Sequence, residues 1–326
     1  MPSLPSSRRP GPIAIVATCL LTACARGPRV APGPTPDAAI PVPVGATAVV
    51  VDGATGATLS LEQLAGRLAR ADVVLLGELH DATAHHELRA ALVLEQAPAA
   101  ARRAGIQPAS FVFEHFAAQP ADAPLPRPAG AGADTAWLDA TGFDREGWQW
   151  PLHASLVEAA LATGRPMRGS HLPREALSGV VRRGAAAAPP ALAAIVGHTP
   201  LDSVQRTIQE REIVDGHCGQ LPAAMVPGMR AAQEVRDAAM AQALLAARAD
   251  GPAWLLAGNG HVRRDVAVPR LLRALAPGAM TISVGFLEWR ADGTRPAQPP
   301  AEFDLVVYTP PLTRPDPCAA FTRSAR

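Results

Sequence analysis

Lysine is missing from all 326 residues of this chain, so arginine supplies every fixed positive charge. Schiff-base catalysis and pyridoxal phosphate linkage are thereby excluded, because both need a lysine amine. No basic run is present and none alternates with aromatics; at a net charge of +1 with 18% charged residues, nothing marks a nucleic-acid surface. Neither a His-Glu-x-x-His helix nor paired Cys-x-x-Cys motifs occur, so no preset metal cage can be read off. Tyrosine occurs once, at Tyr308, and cysteine four times. No internal repeat is visible.

The apolar stretch 13–21 is too short and too poorly flanked to span a bilayer. Arg8 and Arg9 precede it and Leu21-Thr22-Ala23-Cys24 closes it, a pattern that resembles a bacterial lipoprotein signal with its lipobox. Residues 1–23 are therefore read as a removed signal peptide and Cys24 as the lipidated first residue of the mature chain; a soluble secretory signal is the plainer alternative. An anchor of several acyl chains, palmitate among them, holds a protein at a membrane surface without inserting its fold. Ala25 follows Cys24 where an acidic residue is absent, which by resemblance to Gram-negative lipoprotein sorting favours the outer membrane, facing the periplasm. Residues 24–45 are rich in proline, glycine and alanine with no periodic apolar face, as expected of a tether. Residues 46–312 are expected to form a single α/β domain with a helical insertion, and 313–326 a C-terminal tail. With Cys19 in the removed peptide and Cys24 lipidated, Cys218 and Cys318 remain. In an oxidising compartment an even pair suggests a disulfide tying the tail to the body; two free buried thiols, or Cys218 as a metal ligand beside His217, are the alternatives.

The first strand is read over 48–51, followed by a helix over 61–69 capped by Ser60. Val73-Val74-Leu75-Leu76 is a buried-type strand that empties through Gly77 into Glu78, His80 and Asp81, with His85 and His86 on the next helix. A strand over 110–113 ends in Glu114 and His115, one over 166–169 in Ser170 and His171, and one over 253–257 in Gly258-Asn259-Gly260-His261. Further strands are expected over 281–286 and 303–308. Helices are read over 152–162, from Pro173, over 203–215, over 225–247 and over 269–275. The Pro-, Ala- and Gly-rich 119–132 has the length of a lid, and 184–192 reads as a surface connection. Alternating strands and helices predict an α/β fold with a mostly parallel sheet and helices on both faces.

Separate strands thus end in Glu78/His80/Asp81, Glu114/His115, His171 and Asn259/His261. Parallel strands put those ends along one edge, where α/β folds bind ligands. A single histidine is more often a cap or a satisfied core group than a ligand; the repeated coincidence of position points to a pocket. Glu78 and Glu114 sharing it would raise one pKa and make a usable acid or base, and His80, His261 and Glu78 are candidate metal ligands suited to zinc, manganese or iron. Gln233, Arg236 and Asp237 share a helix face, so Arg236 could pair with Glu78 or Glu114; an ordinary buried ion pair is the alternative. Arg263 and Arg264 could bind an anion or merely start a solvated helix. Trp148 and Trp150 could stack on a ligand or pack in the core. His115, His153 and His198 have no constellation around them, and His198 is assigned to the surface.

The same residues carry a family resemblance. Gly77-Glu78-Leu79-His80-Asp81 with His85-His86, then His217-Cys218-Gly219-Gln220-Leu221-Pro222, Ala232-Gln233-Glu234-Val235-Arg236-Asp237 and Gly258-Asn259-Gly260-His261 together resemble the ChaN family of haem-binding lipoproteins, over 49–310. That family belongs with the Tiki and TraB proteins and is similar in fold to the erythromycin esterases. The resemblance implies haem binding and iron uptake for the ChaN branch, and hydrolysis, metal-dependent in the Tiki branch, for the superfamily. A haem pocket needs an apolar slot, an axial ligand and basic groups for the propionates. The ChaN haem site is associated with a tyrosine, whereas Tyr308 here reads as an ordinary strand residue, so His85 or His86 stands in as axial ligand. Asp81, His171, His217 and Asn259 complete the candidate ligand-binding set. The hydrolytic alternative rests on Glu78, His80, Glu114 and His261, with Arg236 in support. Haem, iron or another small molecule, or a divalent metal, is thus the expected partner beside the membrane, and the oligomeric state is open.

Overall fold

The computed structural model describes residues 48–130, 132–290, 294, 299–316 and 318–319. Cys24, the lipobox and the tether lie outside the described residues. The strands are β1 (Val49–Asp52), β2 (Thr58–Leu59), β3 (Val73–Leu76), β4 (Ser110–Ala117), β5 (Met167–His171), β6 (Ala253–Leu256), β7 (Thr281–Glu288) and β8 (Leu305–Thr309). They form one sheet in the order β2-β1-β8-β7-β3-β6-β4-β5. The run from β8 to β5 is parallel throughout, while β1 pairs antiparallel with β2 and with β8. β3 and β6 lie side by side within that run and every side chain of both is buried. Strands covered on both faces need no polar alternation, which is why each is a continuous apolar run.

Helices cover both faces. On one side α1 (Leu61–Ala69), α2 (Thr83–Ala91), α3 (Ala97–Ala104), α4 (Thr135–Ala140) and α5 (Ala154–Ala162) enclose a core that includes Leu64, Leu68, Phe113, Phe116 and Leu156. On the other, α6 (Arg174–Arg183), α7 (Pro190–His198), α9 (Val226–Ala247) and α11 (Val268–Leu275) enclose Leu75, Leu255, Val306 and Leu271. The helix α8 (Ser203–Gly216) packs on α9, and the short α10 (Asn259–Val262) follows β6. Complete burial of Leu64, Leu68, Leu75 and Leu76 stabilises the fold by about 1.5–3 kcal/mol for each side chain. α9 buries Ala238, Ala239, Ala241 and Ala243 against β4, β5 and β6, and these small side chains let its backbone lie close to the sheet.

The structure departs from the sequence reading at three places that bear on the site. β4 continues past Phe113 to Ala117, so Glu114 and His115 lie inside a strand; its register with β5 breaks between Phe113 and Ala117, an irregularity of the kind that re-aims side chains. The segment 119–132 is no lid over the candidate edge. Leu125 N–H donates to the Met167 carbonyl at 2.7 Å, and Arg168 Nε donates to the Asp122 carbonyl at 2.9 Å, so the segment lies along the outer edge of β5 and covers it. The stretch 184–192, read as a plain connection, contains the start of α7 at Pro190, where the missing N–H is harmless. Cys218 and Cys318 form a disulfide with their Cα atoms 5.5 Å apart, tying the segment after β8 to the α8–α9 connection. Among the described residues no helix is long and apolar enough to cross a membrane.

Candidate functional site

The carboxyl edges of β3 and β6 meet through two tight turns. A Cβ on Gly77 would stand 2.1 Å from Asn259 Oδ1 and 2.8 Å from Val262 Cγ2, so only glycine lets the turn after β3 lie against the turn after β6. Asn259 is occupied in holding that junction: its Nδ2 donates to the Phe286 carbonyl at 2.7 Å and its Oδ1 accepts from Phe286 N–H at 3.1 Å. It therefore bridges to β7 and is not a ligand-binding residue, contrary to the sequence expectation.

Glu78 emerges from the first turn, 2% exposed, as the hub of a histidine cluster. Its Oε1 lies 2.7 Å from His80 Nδ1 and 3.4 Å from His115 Nε2. Its Oε2 lies 3.0 Å from His86 Nδ1 and contacts the guanidinium of Arg89. Burial draws Arg89 down to about 9, which still leaves it charged at neutral pH and able to balance Glu78. An ionised carboxylate only accepts, so His80 must carry its proton on Nδ1 and its lone pair on Nε2, which has no partner among the described residues. The His80 side chain keeps 47% of its surface at solvent while protein surrounds the rest. Trp148 packs edge-on against it at 4.8 Å between centroids. A Cβ on Gly258 would stand 2.9 Å from His80 Cε1 and 3.6 Å from Glu114 Oε2, so this glycine makes room for both.

A second network adjoins the first. Glu114 Oε2 accepts the Gly258 N–H at 2.8 Å, and Oε1 lies 3.4 Å from His261 Nε2. His261 Nδ1 is 2.6 Å from Asp237 Oδ1 on α9, and Gln233 Nε2 approaches the same ring at 3.2 Å. Burial disfavours charge on His261, but Glu114 and Asp237 on either side outweigh it and raise its pKa to about 10. Burial alone would raise Glu114, yet the His261 imidazolium holds it well below the usual carboxylate range. The expected repulsion between Glu78 and Glu114 is thus absent, because each carboxylate has its own cation, Arg89 or His261. Asp237 is pushed up by burial, against the pull of His261.

Residues 64–272 match the family described as haem-binding uptake, Tiki superfamily, ChaN. The chain belongs to the ChaN family. Its fold is similar to that of ChaN of Campylobacter jejuni, solved with cofacial haem binding: 16% identity, TM-score 0.64, covering 82% of this chain and 98% of that one. Two further solved structures are similar over much of the chain. The type III effector HopBA1 has 14% identity and TM-score 0.41, covering 77% of this chain and 93% of its own. The erythromycin esterase EreC in its open conformation has 14% identity and TM-score 0.36, covering 82% and 84%. No curated protein matches the sequence.

In this ChaN-family chain His85 and His86 are wholly buried and stand at no pocket mouth. His85 Nδ1 accepts the Leu79 N–H at 3.1 Å and Nε2 lies 3.0 Å from Thr309 Oγ1, so both nitrogens are spent on structure. His86 Nε2 donates to the His80 carbonyl at 3.0 Å and Nδ1 accepts from Arg89. Burial holds both rings at about 4. Neither can serve as an exposed axial ligand, which corrects the sequence expectation. Tyr308, 2% exposed, packs in the second core. Asp81 pairs with Arg314 at 2.7 Å, His217 Nδ1 caps its own helix at the Ile213 carbonyl at 2.6 Å, and neither joins the cluster. Arg263 pairs with Asp265 and Arg264 with Asp304, so the proposed anion binders are already neutralised. His198 is exposed at the end of α7, and Trp150 packs on Phe143.

Sequence reasoning missed two members of the cluster around Glu78: Arg89 and His153. His153, 1% exposed, has its ring 4.2 Å from that of His86 and 4.3 Å from that of His115, with neither nitrogen hydrogen-bonded among the described residues. Burial pushes His115 and His153 well below the ordinary histidine value. His153 sits at the start of α5 and not at a strand end, so the only available signal was its closeness to Trp148 and Trp150. The expected metal set of His80, His261 and Glu78 divides between the two networks. Glu78, His86 and His153 instead bring potential ligand atoms within 4.8 Å of one another. Arg89 already contacts the same Glu78 oxygen and the same His86 nitrogen, so a fixed cation fills that place. An apolar cleft lined by Ala69, Val93, Ala101, Phe111 and Trp254 opens at the opposite, amino end of the strands, away from all these groups.

Proposed function

We propose that this chain binds haem at the carboxyl edge of the sheet, with His80 as the iron ligand. The observation that carries this reading is the His80–Glu78 pair at 2.7 Å. A carboxylate behind a histidine fixes the tautomer and raises the basicity of the outward nitrogen, here Nε2 on a half-exposed ring. The residues present fit an imidazole-ligated haem and not a tyrosinate-ligated one, because Tyr308 is in the core. Haem, when bound, supplies a Lewis-acidic and redox-active iron. Trp148 offers an apolar flank beside His80, and Arg89 and His115 hold Glu78 in place. The family description, haem-binding uptake, and the haem complex of the Campylobacter jejuni protein support haem as the ligand. Hemin titration tests it: the wild-type protein shifts the Soret band, His80→Ala does not, and His85→Ala still does because that ring faces inward. An unshifted band in the wild type, or a shift retained in His80→Ala, removes this reading.

Hydrolysis is the second reading, favoured by the Glu114–His261–Asp237 network. An imidazolium whose two N–H groups face Glu114 and Asp237 is a poor proton donor near neutral pH, and its part is to keep Glu114 ionised next to the His80 base. Turnover of carboxylic esters that is lost in both His80→Ala and His261→Gln would put this reading first.

A further inference from the structure

The chain returns after β8 to the turn that carries His80. Arg236, expected to pair with Glu78 or Glu114, ion-pairs with neither, since Arg89 and His261 take those carboxylates. The arginine that reaches the His80 turn is Arg314. Its Nη1 and Nη2 donate to Glu288 Oε2 and Oε1, each at 2.8 Å, and its Nε lies 2.7 Å from Asp81 Oδ2. Leu312 N–H adds a bond to Glu288 Oε1 at 2.9 Å. Glu288 ends β7, which pairs with β3, and Asp81 directly follows His80. On the other side of His80, the Leu79 N–H donates to His85 Nδ1, and His85 Nε2 lies 3.0 Å from Thr309 Oγ1 at the end of β8. Residues 309–314 therefore grip the turn on both flanks of His80. Beyond Arg314 the chain is fixed covalently, Cys318 to Cys218 in the α8–α9 connection.

We propose that Arg314 is a positioning residue for His80, latched by the Cys218–Cys318 disulfide, so that ligand binding at His80 follows the redox state of that bond; this rests on His80 being the haem ligand. The planar guanidinium fork spans two carboxylates, which a lysine ammonium on a flexible stem does not. Its two-pronged hold on Glu288 would be enough to dock the tail, and the third nitrogen carries that hold to Asp81 and the His80 turn. A half-exposed ion pair such as Arg314–Asp81 is weak by itself, and chain ends fray unless tied down. With β8 at one end and the disulfide at the other, the segment has little conformational freedom left to lose, so the pair stays formed. Opening the latch takes two electrons and two protons from a dithiol: the S–S bond breaks, Cys218 and Cys318 become thiols, and the dithiol becomes a disulfide. The tail is then tied by non-covalent bonds alone and the grip on the turn weakens.

The test reads hydrogen exchange by mass spectrometry over 77–84 and hemin affinity from the Soret band. Arg314→Gln, which keeps the disulfide, should speed exchange of the amides at 79–82 and weaken hemin about tenfold, Arg314→Lys less, and Arg145→Gln not at all. The double variant Cys218→Ser/Cys318→Ser, and the haem-free protein reduced with dithiothreitol, should speed the same amides. Adding Arg314→Gln to the double variant should change little more, because both act through one link. Peptides of β4 and β6 should keep wild-type exchange throughout. If hemin binds no form of the protein, the haem reading alone falls, since exchange in the haem-free protein still decides the clamp. Unchanged exchange at 79–82 in Arg314→Gln or in the reduced protein, exchange raised across the whole sheet instead, or one hemin affinity shared by wild type, Arg314→Gln and the double variant overturns the proposal.

Discussion

Histidines buried in one protein hold opposite charge states here, because each meets a different neighbour. His261 lies between Glu114 and Asp237 and is raised to about 10, whereas at His85 and His86 burial outweighs the neighbouring charges and lowers both to about 4. The signs give a stability window. The lowered rings contribute stability that is present above the unfolded value near 6.5 and is lost as pH falls through about 4. The raised ring contributes stability that is present below that unfolded value and is lost as pH rises through about 10. Urea unfolding across pH 4.5–9.5 should therefore show maximal stability near pH 6.5–7, with an acid-side slope on the order of 1.4 kcal/mol per pH unit for each lowered histidine. A stability that keeps rising from pH 7 to pH 9.5 would contradict the charged state assigned to His261.

At the scale of elements, local chemistry made some segments legible. Ser60 caps α1 with Gln63 in a reciprocal pair, and the helix runs over 61–69 as its apolar spacing predicts. β3 and β6 were readable because a strand buried on both faces leaves an unbroken apolar run. β4 was harder: Glu114 and His115 look like the start of a loop, and only their pairing with Gly258 N–H and Glu78 makes a buried strand tolerate them. The segment after β8 is held by Arg314, which bonds both oxygens of Glu288 at 2.8 Å, and by the Cys218–Cys318 disulfide. That bond closes a loop with a sequence separation of 100, so Cys318→Ser should lower unfolding free energy by roughly 2–5 kcal/mol. Melting curves with and without dithiothreitol check this; superimposable curves would show that the bond adds nothing.

At the scale of the whole molecule, the parallel run from β8 to β5 gathers the side chains that end β3, β4, β5 and β6 along one edge. The body has no membrane-spanning helix among its described residues. We propose that attachment comes from Cys24 at the end of the 24–45 tether, with the body facing the periplasm of the outer membrane. The disulfide supports an oxidising compartment. Cys24→Ser should move the protein from the membrane fraction to the soluble one, and continued sedimentation with membranes would contradict the anchor.

The pattern of apolar runs was enough by itself to determine that Glu78, Glu114, His171 and His261 lie at or near the carboxyl ends of separate strands, because burial of a strand on both faces is written in consecutive residues. Which carboxylate meets which cation was decided only by tertiary structure. Arg89 reaches Glu78 because α2 folds back over the end of β3, and His261 reaches Glu114 and Asp237 because α9 crosses the sheet. Those pairings depend on separations of a few ångströms between residues far apart in the chain, and charge states follow the separations. For that reason Arg89 and His153 became visible as parts of the site only in three dimensions.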